Sequence, residues 1–484
     1  MNHRSDLQRI AHNAMLARGL LPDFDPAALA QLAAIAGPAL ADRGLVDLRG
    51  RLWCSIDNDD SLDLDQLSVA EDLGGGVVKV LVAVADVDAL VAKATPIDRH
   101  AAANTASVYV PGHVFPMLPE RLSTDLTSLN ADVERSSLVI TYVVKPDGTL
   151  GDTQIGRAVV KNHAKLAYGQ VAAWLEGHAA LPEAAAQVPG MDAQLKLQAQ
   201  AADRLRRLRH ERGALDLQSL EAHAVFSGEA VVGLHSETPN PAQHLIEEFM
   251  IAANGVVARY LADQKRPSLR RVVRSPERWA KIVEKAAELG EALPDAPSAK
   301  ALEAFLAKRR AADPLRFPDL SLAIVKLMGA GEYIVELPGQ PPVGHFGLAT
   351  REYAHATAPN RRFPDLITHR LVKAALAGTP AAYGIDELSA LASHCTVQEG
   401  NAAKVERQVR KSAAALLLER RIGEGFDGVI TGAADKGTWV RVFEPPVEGR
   451  VERGADGLRV GDKVRVRLLS TNFERGFIDF ARER

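Results

Sequence analysis

Five aspartates, Asp57, Asp59, Asp60, Asp63 and Asp65, fall within nine residues and lie between two apolar segments. Carboxylates crowded this closely repel one another. A fold that converges them must neutralise them, and a divalent cation does so best. Asp57, Asp63 and Asp65 would converge if residues 55–66 wrap around an ion. Three other readings compete: a solvated acidic turn, a helix-capping cluster and a calcium loop of EF-hand type. The calcium loop is excluded because it needs glycine at its sixth position and glutamate at its twelfth, where Leu62 and Ser68 stand. Spacing alone leaves the rest open, with the metal reading ahead.

The surroundings of this segment set the fold class. From Leu52 the hydrophobic period is two, and Gly74-Gly75-Gly76 precedes a β-rich run over 77–87, as a hairpin would. A further strand over 138–144 is ended by Pro146-Asp147-Gly148. After Tyr168 the pattern is mostly helical to about residue 420. Residues 425–484 return to short strands at the density of a five-stranded barrel. Residues 1–48 read as helical: Leu7, Ile10, Ala14 and Ala17 recur at helical spacing, and Asp25-Pro26 forms a cap and first turn. Whether they make a helix-turn-helix module or a packing element is open. The class is α+β, with a small helical domain over 1–48, a main domain over 49–420 and a β-barrel over 425–484.

With 58 basic and 61 acidic residues the net charge is −3, so a chain-wide basic field is excluded and any polyanion must be held by local patches. Two such patches stand out, Lys265 to Arg278 and Arg204 to Arg212. Cys54 and Cys395 have neither zinc-ligand spacing nor enough company for a disulfide framework, and read as buried thiols. No apolar run near the amino terminus resembles a signal peptide or a membrane span, so a cytoplasmic protein without membrane attachment is expected.

The acidic loop and several downstream motifs together carry a resemblance. They include Val84-Ala85-Asp86-Val87, Tyr109 with Pro111, Pro116-Met117-Leu118-Pro119, Ile246-Glu247-Glu248, and Ala358-Pro359-Asn360-Arg361-Arg362-Phe363-Pro364-Asp365. In order and spacing these resemble the catalytic domain of the RNB exoribonucleases, the ribonuclease II and ribonuclease R family. The tail, with Gly428-Val429-Ile430, Trp439 and Gly461-Asp462, resembles an S1 domain, an OB-fold barrel. Family members generally open with two cold-shock barrels, which 48 helical residues cannot hold.

The resemblance implies a magnesium-dependent 3′→5′ exoribonuclease that processively degrades single-stranded RNA to 5′-nucleotides, with manganese as an alternative ion and one or two ions bound. It assigns Asp57, Asp63 and Asp65 to the metal, with Gln66 where the family has a fourth aspartate. Asp63, Asp65 and Arg361 are the implied catalytic set, Arg361 acting on the scissile phosphate. Tyr109 is implied to pack on the 3′-terminal nucleotide, and Leu217 takes the place of a stacking phenylalanine. Tyr168 with Glu247 or Glu248 is implied to contact ribose hydroxyls. Arg362 and Glu406 lie near the substrate, and Trp439 and Phe443 are the candidates for base stacking in the barrel. RNA is the expected partner and a monomer the expected state. A non-catalytic RNA-binding relative, suggested by Gln66 and Leu217, and an endonuclease with the same loop are the alternatives.

Overall fold

A computed structural model describes residues 2–40, 44–218, 222–236, 239–314, 316–434 and 437–483. Helix α1 (His3–Leu16) is followed by α2 (Pro26–Ala34), where the Asp25 side chain accepts from the Ala28 N–H and Pro26 occupies the first turn. The main sheet then begins with β1 (Val46–Asp47), β2 (Cys54–Asp57), β3 (Gln66–Asp72) and β4 (Val78–Ala85). After α3 (Pro96–Asn104) come the small hairpin β5 (Val108–Val110) and β6 (His113–Phe115), then β7 (Glu134–Val144), β8 (Leu150–Lys161) and β9 (Ala164–Ala167). The seven-stranded sheet has the order β1-β8-β7-β4-β3-β2-β9. Strand β4 is buried at almost every position, as a central strand covered on both faces must be.

Helices α4 (Tyr168–Leu175), α5 (Glu183–Ala186) and α6 (Met191–Glu211) follow. A hairpin, β10 (Ala222–Ser227) and β11 (Ala230–Ser236), leads into α7 (Pro241–Asp263). Helices α6 and α7 join the sheet through polar contacts set in an apolar interface. Ser68 Oγ donates to Gln198 Oε1 at 2.7 Å, and Tyr142 donates to the Phe249 carbonyl at 3.3 Å. Next come β12 (Ser268–Val272), α8 (Trp279–Glu288), α9 (Ala299–Ala312), α10 (Phe317–Met328) and β13 (Glu332–Glu336), which pairs with β12. Helix α11 (Phe363–Leu376), with Pro364 in its first turn, and the 34-residue α12 (Ile385–Leu418) complete the body.

Strands β14 (Gly425–Ala434), β15 (Gly437–Val442), β16 (Val447–Arg453), β17 (Lys463–Asn472) and β18 (Phe477–Arg482) form the closed five-stranded barrel. Ala414, Ala415 and Leu418 at the end of α12 enter the barrel's own apolar cluster, so the helix plugs one end of it.

The opening segment departs from an all-helical reading. Val46 and Asp47 form an edge strand of the main sheet, and the two helices feed different cores: α1 packs with α12 and the β5–β6 hairpin, while Ala28 of α2 joins the sheet core. Both cysteines are buried free thiols, and burial pushes them up, Cys54 to about 11 and Cys395 to about 12. Among the described residues, no helix is long and apolar enough to cross a membrane.

Candidate active site

The acidic loop connects β2 to β3, and the chain itself holds its shape. Asp57 Oδ1 accepts from the Asn58 N–H at 2.7 Å and from Ser61 Oγ at 3.0 Å, and Lys165 Nζ donates to the Ser61 carbonyl. Ser128 Oγ accepts from the Leu64 N–H and donates to the Leu62 carbonyl, which fixes the return into β3. Asn58, Asp59 and Asp60 are exposed, Asp57 and Asp63 half-buried, and Asp65 and Gln66 buried.

Asp65 is the deepest acid of the loop. Its Oδ1 accepts the Asn360 N–H at 2.8 Å, while Arg361 Nε approaches Oδ2 at 3.3 Å without the alignment of a hydrogen bond. Burial pushes this carboxyl up to about 7, against the pull of Arg361 and the Asn360 N–H. Burial also raises Asp63, which accepts from the Tyr109 hydroxyl at 3.1 Å. For Arg361, enclosure by the cleft opposes the charge, and Asp65, Tyr109 and Asp57 together more than restore it.

Arg361 reaches the loop because its own segment is pinned. Ser107 N–H donates to the Arg361 carbonyl at 3.0 Å, Phe363 N–H to the Thr105 carbonyl at 2.8 Å, and Ala358 N–H to Asp365 Oδ1 at 2.8 Å. Arg362 makes two 2.8 Å bonds to Asp365. The adjacent arginines are therefore divided: Arg362 locks the start of α11, and Arg361 remains about half exposed in the cleft.

Asp63, Tyr109, Arg361, Glu406, Arg410 and His223 line one cleft of about 630 Å³. Glu406 accepts the Tyr109 N–H at 3.0 Å, fixing the backbone that carries the ring. Parallel pairing of β2 with β9 sets Asp57 opposite Ala167, and so brings Tyr168 beside the loop, where burial and Asp57 raise its hydroxyl.

Other expected residues stand elsewhere. Leu217 packs against the cluster containing Trp279 and Phe317 instead of lining this cleft. Glu247 and Glu248 both receive Arg209, the first at 3.1 Å and the buried second at 2.5 Å. Trp439 lies half-buried, with its ring against Gly432, while Thr438, Val440 and Val442 turn inward. Phe443 is also half-buried, just past β15. Much of the basic patches is spent internally: Arg270 pairs with Glu336, Arg271 with Glu399, Arg274 with Glu332 and Arg206 with Asp216. Arginines drawn into a fold need such partners, so sequence clustering overstated the surface available to RNA. His223 carries no local signal in the sequence, while Arg410 is legible only as an i,i+4 neighbour of Glu406 and Asn360 only as part of the Arg361 motif.

Among the described residues, no three acid, imidazole or thiol groups are arranged to enclose a metal. Magnesium, however, commonly takes only one or two carboxylates and completes its shell with water and substrate phosphate. Asp63 and the donor-less Asp65 Oδ2 fit that demand. Asp57 Oδ1 is committed to closing the loop, and Gln66, buried at the head of β3, brings no charge.

Residues 45–378 match the family model for the RNB domain, and residues 424–483 that for the RNase II-type exonuclease C-terminal S1 domain. Ribonuclease R of Escherichia coli is 32% identical over 479 residues, covering 92% of this chain and 58% of that protein. The chain thus spans less than two thirds of the length of that relative. Mycoplasma genitalium RNase R, solved in complex with ribose-methylated single-stranded RNA, superposes with a TM-score of 0.88 at 22% identity, over 99% of this chain and 78% of the other. Yeast Ssd1, described as a pseudonuclease, shares the fold at a TM-score of 0.71 and 17% identity, over 95% of this chain and 57% of its own. Since the RNB model alone accounts for more than half of its length, this chain belongs to the RNB family, with an RNase II-type S1 barrel at its carboxyl end.

Proposed function

We propose that this chain is a magnesium-dependent 3′→5′ exoribonuclease that hydrolyses single-stranded RNA to nucleoside 5′-monophosphates. The observation that carries the reading is the meeting of Asp63, Tyr109 and Arg361 at one cleft, with the buried Asp65 against Arg361, drawn from segments some 300 residues apart. The RNA bound to the Mycoplasma genitalium enzyme and the ribonuclease R sequence relatives support it.

Asp63 and Asp65 would hold a magnesium ion, which would supply Lewis acidity at the phosphate. The rest is done by the chain. Arg361 faces the phosphoryl oxygens with a permanent positive charge, and its pinned backbone keeps reorganisation small as charge develops. Tyr109 offers a ring to the terminal nucleotide while its hydroxyl and its N–H are held by Asp63 and Glu406, so the ring is oriented before RNA arrives. Tyr168, whose hydroxyl feels Asp57, is the residue this reading gives to the ribose. The same reading takes the protein as a cytoplasmic monomer with RNA as its partner, and it treats residues 1–48, 49–420 and 425–484 as the working units.

The test uses single-stranded RNA labelled at its 5′ end, with magnesium or with chelator, for the native protein and Asp65→Asn. Labelled RNA should shorten to small end-products only with magnesium and only with Asp65 intact. Gln66 favours a second reading, an RNA-binding relative without catalysis, in line with a fold shared by a pseudonuclease. RNA that is bound but never shortened, with or without magnesium, selects that reading.

A further inference from the structure

A cavity of about 480 Å³ lies between α6, α7, the β7–β8 turn and residues 348–350, and it shares no lining residue with the catalytic cleft. Its size falls in the range of roughly 300–1,000 Å³ typical of small-molecule sites. One wall depends on Gly148: with φ at +82°, a Cβ there would stand 2.3 Å from the Arg204 carbonyl oxygen, so only glycine lets the turn press onto α6.

The lining is sharply divided. Leu205, Leu208, Ile251 and Leu348 provide an apolar wall, and the Arg209–Glu248 pair supplies a neutralised floor. Arg212 and Arg259 also line it, and among the described residues neither guanidinium has an ion pair or a hydrogen bond. Of the arginines on α6, Arg204 donates to the Gly76 carbonyl, Arg206 meets Asp216 and Arg209 meets both glutamates, while Arg207 lines a separate recess with Asp203 and His210. Arg259 folds back along α7 past Gly255, its Nη1 lying 3.9 Å from where a Cβ would be.

We infer that this cavity is a second, non-catalytic ligand site for a nucleoside 5′-phosphate. Two unpaired guanidinium groups suit a dianionic phosphate, and the apolar wall suits the base and sugar. Inorganic phosphate would leave that wall wet, and an uncharged nucleoside would leave both arginines unanswered. The choice of a nucleotide among phosphomonoesters rests on the proposed function, whose products are of that class.

The experiment titrates adenosine 5′-monophosphate, adenosine and inorganic phosphate into the full chain by calorimetry, in chelator so that the catalytic cleft holds no cation. The native protein, Arg361→Gln, Arg212→Gln and Arg259→Gln are compared, with RNA hydrolysis measured in parallel. Saturable binding of the monophosphate should persist in Arg361→Gln and weaken about tenfold in each of the other two, for the loss of one charge-assisted contact. Adenosine and phosphate should each bind far more weakly, and Arg259→Gln should keep native hydrolysis. The site is overturned if no monophosphate binds, or if Arg361→Gln alone abolishes binding. It is likewise overturned if phosphate binds as tightly as the nucleotide. A native protein that binds the monophosphate but hydrolyses no RNA would fail the functional reading and leave this site standing.

Discussion

Two groups of three aspartates sit in the RNB body and meet opposite fates. Asp86, Asp88 and Asp98 face Arg157, Arg370 and Lys373: Lys373 lies 2.8 Å from Asp86 and 2.9 Å from Asp88, and Arg370 lies 2.7 Å from both Asp88 and Asp98. Three acids meet three cations. Asp57, Asp63 and Asp65 are also wholly or partly withdrawn from water, yet among the described residues the only cation paired with them is Arg361. The carboxyl groups respond accordingly. At Asp88 burial works upward, but Lys373 and Arg370 hold it below its ordinary range, whereas at Asp65 burial prevails. A balanced cluster is architecture. An unbalanced one leaves negative charge to be answered from outside, as the proposed cation-dependent centre would require.

Removing a cation from the balanced cluster should have the largest effect. Arg370→Gln leaves Asp88 and Asp98 short of a buried partner and should cost about 3–5 kcal/mol of stability, measured by denaturant unfolding. Activity per folded molecule should change little, and an unchanged midpoint would mean that this cluster is not holding the fold. Asp65→Asn should do the reverse: hydrolysis should fall by about 100- to 1,000-fold, with thermal stability equal to or above native because an under-paired buried charge has gone. A variant that unfolds without losing turnover would erase the contrast.

Acid should weaken the balanced side through His100, two residues beyond Asp98 on α3. The ring is buried against Phe24, at 4.1 Å between centroids, and burial lowers it from its ordinary 6.5 to about 4, despite Asp25 and Asp23 nearby. The unfolded chain therefore takes up the proton first. The stability His100 contributes is complete above pH 6.5 and is lost as the pH falls toward 4. Thermal melts across that interval should show a decline that is shallower in His100→Gln. The smallest effect belongs to a pair in open solvent. Glu288→Gln, which removes the partner of Lys285 at 2.9 Å, should shift stability by no more than about 0.5 kcal/mol.

Much of this was legible before any coordinates. Period-two runs became β3, β4 and β7, the Asp25-Pro26 signal marked a true helix start, and the short strands of the tail closed into a barrel. Those features depend on neighbours in sequence. What could not be read depends on distant partners. Asp365 stands three residues from Arg362, but nothing local says that Arg361 will cross to Asp65, or that Glu406 will hold the Tyr109 backbone. The basic clusters misled for the same reason, because Glu336, Glu399 and Asp216 arrive from other elements. The N-terminal helices read correctly as helices, but their separate destinations on α12 and on the sheet core lay beyond any periodicity.

The bond from Asn360 to Asp65 joins residues 295 positions apart. On the ribosome, at roughly 5–20 residues per second, the acidic loop is therefore made about 15–60 s before the segment that brings Arg361 to it. Until then the growing chain carries carboxylates without their arginine, and a centre of this design stays unassembled while the message that encodes it is still being read.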